Sequence, residues 1–93
     1  MDAPVIDNAA QRRFELAIGE NAIAAAYYRI DQGRVVLIHT AVPEEYSGEG
    51  YATRLAIGAL DLIRQSGRKA VLKCPFMGRF LQRHPEYGDM IDG

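Results

Sequence analysis

Apolar and polar residues alternate strictly from 13 to 18, with Phe14, Leu16 and Ile18 on one face and Arg13 and Glu15 on the other. A period of two marks a half-buried strand. Gly19-Glu20-Asn21 supplies turn chemistry, and 22–30 resumes as a second strand carrying Tyr27 and Tyr28. Its alanines are compatible with a helix, but its place between two short turns favours a hairpin strand. After the turn Asp31-Gln32-Gly33 comes 34–42, apolar on both faces from Val35 to Ile38, as suits a central strand, and Pro43 ends it. These segments predict a three-strand antiparallel meander.

The period then changes. Ala52, Leu55, Ala56, Ala59, Leu60 and Ile63 recur at three- and four-residue steps, which predicts an amphipathic helix over 49–65. Gly67 is a suitable stop, and Arg64 and Arg68 suit the negative end of the helix dipole. A short strand over 70–73 follows, closed by Cys74-Pro75. A second helix over 76–83 is expected to turn Phe76, Phe80 and Leu81 inward, and His84-Pro85 stops it. Residues 1–12 read as a flexible leader, 13–88 as one domain and 89–93 as a polar tail. The fold class is α+β, with one mixed sheet: a strand, crossover helix and further strand pair in parallel with right-handed crossover.

Ninety-three residues suffice for one compact domain. A formal net charge of -1, from 11 basic and 12 acidic side chains, argues against a broad surface for tracking nucleic-acid phosphates. A local site for one anionic ligand stays open. The single cysteine, Cys74, excludes an internal disulfide and suits a reducing compartment. No stretch is apolar for the length of a membrane span, and a cytoplasmic protein, monomeric or weakly dimeric, is the expectation. No His, Cys, Asp and Glu cluster has metal-ligand spacing, so no metal is expected.

Gly48 and Gly50 lie between the central strand and the amphipathic helix. The first turn of a helix offers backbone N–H groups and partial positive charge, and missing Cβ atoms let a phosphate come close. The same glycines also suit a tight turn with no ligand. Two nucleotide motifs are excluded: Tyr51 follows Gly50 where a P-loop has lysine, and Thr53 and Arg54 stand where a dinucleotide fingerprint needs a third small residue.

The run Ser47-Gly48-Glu49-Gly50-Tyr51-Ala52, between a strand and a helix, resembles the signature of the GNAT superfamily of N-acetyltransferases. Ser47 stands where that family carries Arg or Gln. A closer resemblance is to its small single-domain members, through His39-Thr40-Ala41-Val42, the glycine pair, Cys74-Pro75-Phe76 and His84-Pro85-Glu86-Tyr87, in that order. The resemblance covers nearly everything after Arg13. It implies a minimal version of the fold, without the N-terminal helices and final hairpin of larger members. It also implies acetyl-CoA as co-substrate, an amine acceptor on a metabolite or a protein lysine, and a coenzyme cleft where two parallel strands diverge. The implied coenzyme contacts are Thr40, Ala41 and Val42 beside the thioester, Ser47 to Thr53 around the pyrophosphate, and Phe76, Arg79 and Phe80 on the second helix.

Acetyl transfer to an amine needs a proton acceptor, stabilisation of the carbonyl oxygen and protonation of the leaving thiolate. His39 is the candidate base, since imidazole titrates near neutrality, and Cys74 is a candidate acyl carrier or pocket wall. Each has a plainer reading, His39 as a sheet-bonded histidine and Cys74 as a small buried side chain. The resemblance implies that both lie near the diverging strand ends. His84 reads as a helix-end cap or surface residue, and Arg54, on the first helix turn, either reaches a phosphate or is an exposed helix arginine, the plainer reading being preferred. Arg79 and Arg83 either reach the coenzyme 3′-phosphate or are solvated; Tyr27, Tyr28 and Phe80 read as core or cleft wall. Two further functions stay open: an acyl-CoA-binding module with little or no catalysis, and a protein-interaction domain on the same scaffold.

Overall fold

The computed structural model describes residues 4–93. Five strands form one sheet in sequence order: β1 (Ile6–Asn8), β2 (Arg13–Gly19), β3 (Ala22–Asp31), β4 (Arg34–Ala41) and β5 (Ala70–Leu72). The first four are antiparallel neighbours and β5 runs parallel to β4. The crossover is α1 (Tyr51–Gln65), and α2 (Pro75–Arg83) follows β5. The mixed sheet, meander and crossover match the expected fold class. The helices begin at Tyr51 and Pro75, two residues later and one residue earlier than the apolar stripe suggests.

One face of the sheet carries the core. Phe14, Leu16, Ala24, Ala26, Val35 and Leu37 pack against Leu55, Ala59, Leu60 and Ile63 of α1, all at most 4% exposed. Burying a large aliphatic side chain stabilises by about 1.5–3 kcal/mol, so this stripe supplies most of the reason for α1 to lie there. From α2, Met77 and Phe80 are buried, while Phe76 and Leu81 are half-buried at the edge of the same cluster. Met77, absent from the expected inward set, is fully enclosed. No described helix is long and apolar enough to cross a membrane.

Both chain ends depart from expectation. Within the supposed leader, Ile6–Asn8 pairs with Arg13, Phe14 and Glu15, and a 3-10 turn over Ala9–Gln11 links the two strands; residues 1–3 lie outside the described residues. Asp7 accepts a 2.6 Å hydrogen bond from the hydroxyl of buried Tyr28. The supposed polar tail is also part of the fold. Met90 is buried, Ile91 bridges to Ala70, and Gly93 O accepts from Leu72 N–H, so the last residues cover the outer edge of β5. An open strand edge leaves backbone groups unpaired, which is the physical reason for that cover.

Candidate active site

The site begins where β5 leaves β4. Their register ends at Leu37↔Leu72, and Leu37 O then accepts from both Lys73 N–H (2.9 Å) and Cys74 N–H (3.1 Å). Beyond that shared acceptor, β4 runs on to Ala41 beside β3 alone. At the same place β4 bulges: Tyr27 faces His39 but Tyr28 faces Leu37, so Ile38 is the extra residue. A one-residue insertion reverses which face the following side chains take. Val35 and Leu37 point into the core, and after the bulge Thr40, opposite buried Ala26, takes that face.

His39 therefore turns away. Its exposed ring stacks on Tyr27 at 6.0 Å and 22°, on the sheet face opposite the helices. Tyr27 accepts there from Arg13, which also binds Glu15. Cys74 lies on the other face, 5% exposed, with Sγ 3.4 Å from Thr40 Oγ1. His39 and Cys74 thus both lie near the end where β4 and β5 part, but on opposite faces of the sheet. Burial pushes the Cys74 thiol up, but the Thr40 hydroxyl and the amides of Met77, Phe76 and Thr40 outweigh it and leave the thiol below its ordinary value. The Met77 and Phe76 amides act as oriented dipoles at the start of α2, since they do not meet the geometry of a capping hydrogen bond.

After Val42 and Pro43, a 3-10 turn over Glu44–Tyr46 leads into the glycine pair. Gly48 (φ 80°) and Gly50 (φ 83°) both adopt the left-handed conformation, which costs other residues about 1–2 kcal/mol. Nothing lies within 4 Å of where a Cβ would project from either, so neighbouring side chains do not account for these glycines. The turn's backbone conformation and its open outer side do. Helical hydrogen bonding starts with Arg54 N–H to Gly50 O. The N–H groups of Tyr51, Ala52 and Thr53 precede that ladder, no side chain caps them, and the first turn holds no acidic residue.

A hollow of about 230 Å³ opens at this turn, lined by Val42, Tyr46, Ser47, both glycines and Tyr51 to Thr53. The Ser47 hydroxyl donates to Glu44 O at 2.9 Å, and Glu49 is exposed and outside the lining. Thr40 and Ala41 lie upstream on β4, also outside it. A second hollow of about 210 Å³ is lined by Phe76, Arg79, Phe80, Arg83 and His84, and shares Thr53 with the first. His84 caps α2 and stacks on Phe80 at 4.2 Å, while the Arg54 guanidinium lies 5.4 Å from the Tyr51 ring centroid. Tyr46, not singled out beforehand, forms a wall of the first hollow and meets Tyr51 edge-on at 6.0 Å. An aromatic side chain two residues before the glycine pair was the available signal.

Comparison with known proteins agrees with this architecture. A profile of the GCN5-related N-acetyl-transferases matches residues 13–90. Protein NATD1 of Danio rerio is 33% identical over 85 residues, covering 87% of this chain and 77% of that protein. Protein NATD1 of Homo sapiens is 36% identical over 59 residues, covering 63% of this chain and 52% of that one. The solution structure of a GCN5-like candidate N-acetyltransferase from Staphylococcus aureus superposes with a TM-score of 0.72 at 24% identity, over 99% of this chain and 90% of that one, and shares the fold. The chain belongs to the GCN5-related N-acetyltransferase family, whose common chemistry is acetyl transfer.

Proposed function

We propose that the chain is an N-acetyltransferase that draws acetyl groups from acetyl-CoA and passes them to a primary amine, on a small metabolite or a protein lysine. One observation carries the reading: two left-handed glycines open onto an uncapped helix start, beside the hollow next to the β4 end from which β5 has departed. Backbone amides fixed in that way suit a diphosphate, because they need no rearrangement and no side-chain cation. Acetyl-CoA supplies the activated thioester. The amides of Tyr51 to Thr53 hold its pyrophosphate, and Val42 and Tyr46 form the apolar side of its seat.

The second hollow continues from Thr53 and offers two arginines and a stacked His84–Phe80 pair. We assign it to the phosphorylated adenosine end, with Arg79 and Arg83 facing the 3′-phosphate. His39, exposed on the far face, takes the proton of an amine arriving from that side. Cys74 lines the thioester side next to Thr40. Direct attack by the amine is preferred to an acyl-cysteine relay, since His39 and Cys74 lie on opposite faces of the sheet.

Titration with coenzyme A, followed by ¹⁵N NMR, is expected to move the signals of Gly48 to Thr53 in a saturable way. Unmoved signals at millimolar ligand would refute the coenzyme site. Release of free coenzyme A with a panel of amines then separates an enzyme from a module that only binds: turnover that His39→Ala abolishes supports the catalytic assignment, and turnover that it leaves unchanged removes His39 from it.

A further inference from the structure

A hollow larger than either of these lies away from the glycine turn. At the other end of α1 the helix and sheet part around a cavity of about 470 Å³, within the range of small-ligand pockets. Leu62 and Ile63 of α1 and Phe14 of the sheet form its apolar walls. Ile30, 40% exposed, stands at its rim. Ile63 is ten residues past Thr53, so at 1.5 Å per residue the cavity lies roughly 15 Å along the helix from the glycine turn.

Its polar groups are few. The Tyr28 hydroxyl donates to Asp7, which commits that carboxylate, and Arg68 donates to Gly33 O at 3.0 Å. Arg12 differs. It closes the 3-10 turn in the left-handed conformation (φ 54°), and its guanidinium has neither hydrogen bond nor ion pair among the described residues. Two guanidiniums against one carboxylate leave the lining with one positive charge.

We propose that this cavity is a second ligand site, taking an organic monocarboxylate whose apolar body lies against Leu62, Ile63 and Phe14 and whose carboxylate pairs with Arg12. One negative charge matches the single surplus positive charge. A phosphate dianion would bring a second charge towards Asp7 and its hydration into apolar surroundings. A neutral ligand would leave Arg12 unused. The β1 side of the cavity supplies Asp7 and Arg12 while α1 supplies Leu62 and Ile63, so an occupant ties the N-terminal strand to the end of the helix. The site is independent of the coenzyme reading.

The test uses 3-phenylpropionate as probe and 3-phenylpropan-1-ol as its uncharged counterpart, with ¹⁵N and methyl NMR as readout. The acid is expected to give saturable shifts at Arg12, Tyr28, Leu62 and Ser66 and to leave Gly48 to Thr53 unmoved. The alcohol, and the acid against Arg12→Gln, should each bind about 10-fold more weakly, as loss of one charge-assisted contact implies. The proposal is overturned if the acid produces no saturable shift at millimolar concentration, if the alcohol binds as well as the acid, or if folded Arg12→Gln binds the acid unchanged.

Discussion

The two ends of α1 are built to opposite specifications. At its C-terminal end the chain completes itself: Ser66 N–H donates to Leu62 O and Ile63 O, Ser66 Oγ to Ile63 O, and Gly67 N–H to Arg64 O. Arg64 grips Asp89 with two bonds of 2.9 and 3.0 Å, and Lys69 reaches Asp89 O. At the N-terminal end the Ser47 hydroxyl is turned to Glu44 O, and glycine stands where a capping side chain would. A capping side chain stabilises a helix by about 1 kcal/mol, so leaving one out is a cost. A ligand that supplies the missing acceptors recovers it, and this separates the end whose backbone groups the chain itself satisfies from the end that leaves them to the coenzyme.

The sharpest test of that contrast is Gly50→Val. A β-branched residue at φ 83° is strained by about 1–2 kcal/mol and sends its methyls towards the hollow. Coenzyme A affinity is expected to fall about 100-fold, roughly 2.7 kcal/mol, when measured by calorimetry. The thermal midpoint should drop by only the strain. Affinity preserved within threefold would mean that the turn is architectural.

Next comes the tied side. Burial, reinforced by the bond to Asp7, pushes the Tyr28 hydroxyl up to about 12. A proton held more tightly in the folded than the unfolded state stabilises fully below the ordinary tyrosine value and is lost as pH climbs through the folded one. Unfolding free energy should therefore fall by about 2 kcal/mol between pH 10 and 12, from a two-unit shift at 1.36 kcal/mol each. Tyr28→Phe should flatten that slope. A slope identical in the two proteins would show that the fold does not hold the Tyr28 hydroxyl protonated.

The contrast also explains which parts were legible in the sequence. A period of two located β2 and a period of three to four located α1, because burial on one face dictates them, while flanking turns located β3 and a run apolar on both faces located β4. The glycine pair was visible because only a few conformational needs select glycine before a helix. The edges were not, since Ile6–Asn8 and Ile91 to Gly93 gain their place from backbone pairing rather than from a pattern of their own. Gly58 was the unread signal for β1: a Cβ there would overlap Val5, so the mid-helix glycine records close packing of the N-terminal segment. The sheet face that His39 takes was illegible for a different reason. Strict alternation from Val35 and Leu37 would turn it towards the core, and the extra Ile38 reverses it. A bulge leaves no compositional mark.

A smaller effect separates α1 from α2 at the same cleft. The start of α2 faces the Cys74 sulfur, while the start of α1 has no side-chain cap among the described residues. Thr40→Val keeps the shape and removes the hydroxyl 3.4 Å from the sulfur. The pH midpoint of Cys74 alkylation by iodoacetamide should rise, and the rate at neutral pH should fall roughly 3- to 10-fold, as loss of one hydrogen bond implies. If the midpoint stays put, the backbone amides hold the thiolate without Thr40.

The smallest effect is expected where the fold is most visibly bonded. Arg64 and Asp89 are 45% and 66% exposed, so water screens their pair and the flanking bonds within the chain continue without it. The Arg64 guanidinium holds the Asp89 carboxyl below its ordinary value. Its contribution is therefore present above that ordinary value and lost as pH falls through the folded one. Asp89→Asn should lower the denaturation midpoint slightly at pH 7, and the difference should close below about pH 4 and in 1 M salt. Coenzyme A affinity should not change. If Asp89→Asn instead weakened the coenzyme as strongly as Gly50→Val, the two ends of α1 would be coupled, and the division between a self-satisfied end and a coenzyme-binding end would have to be given up.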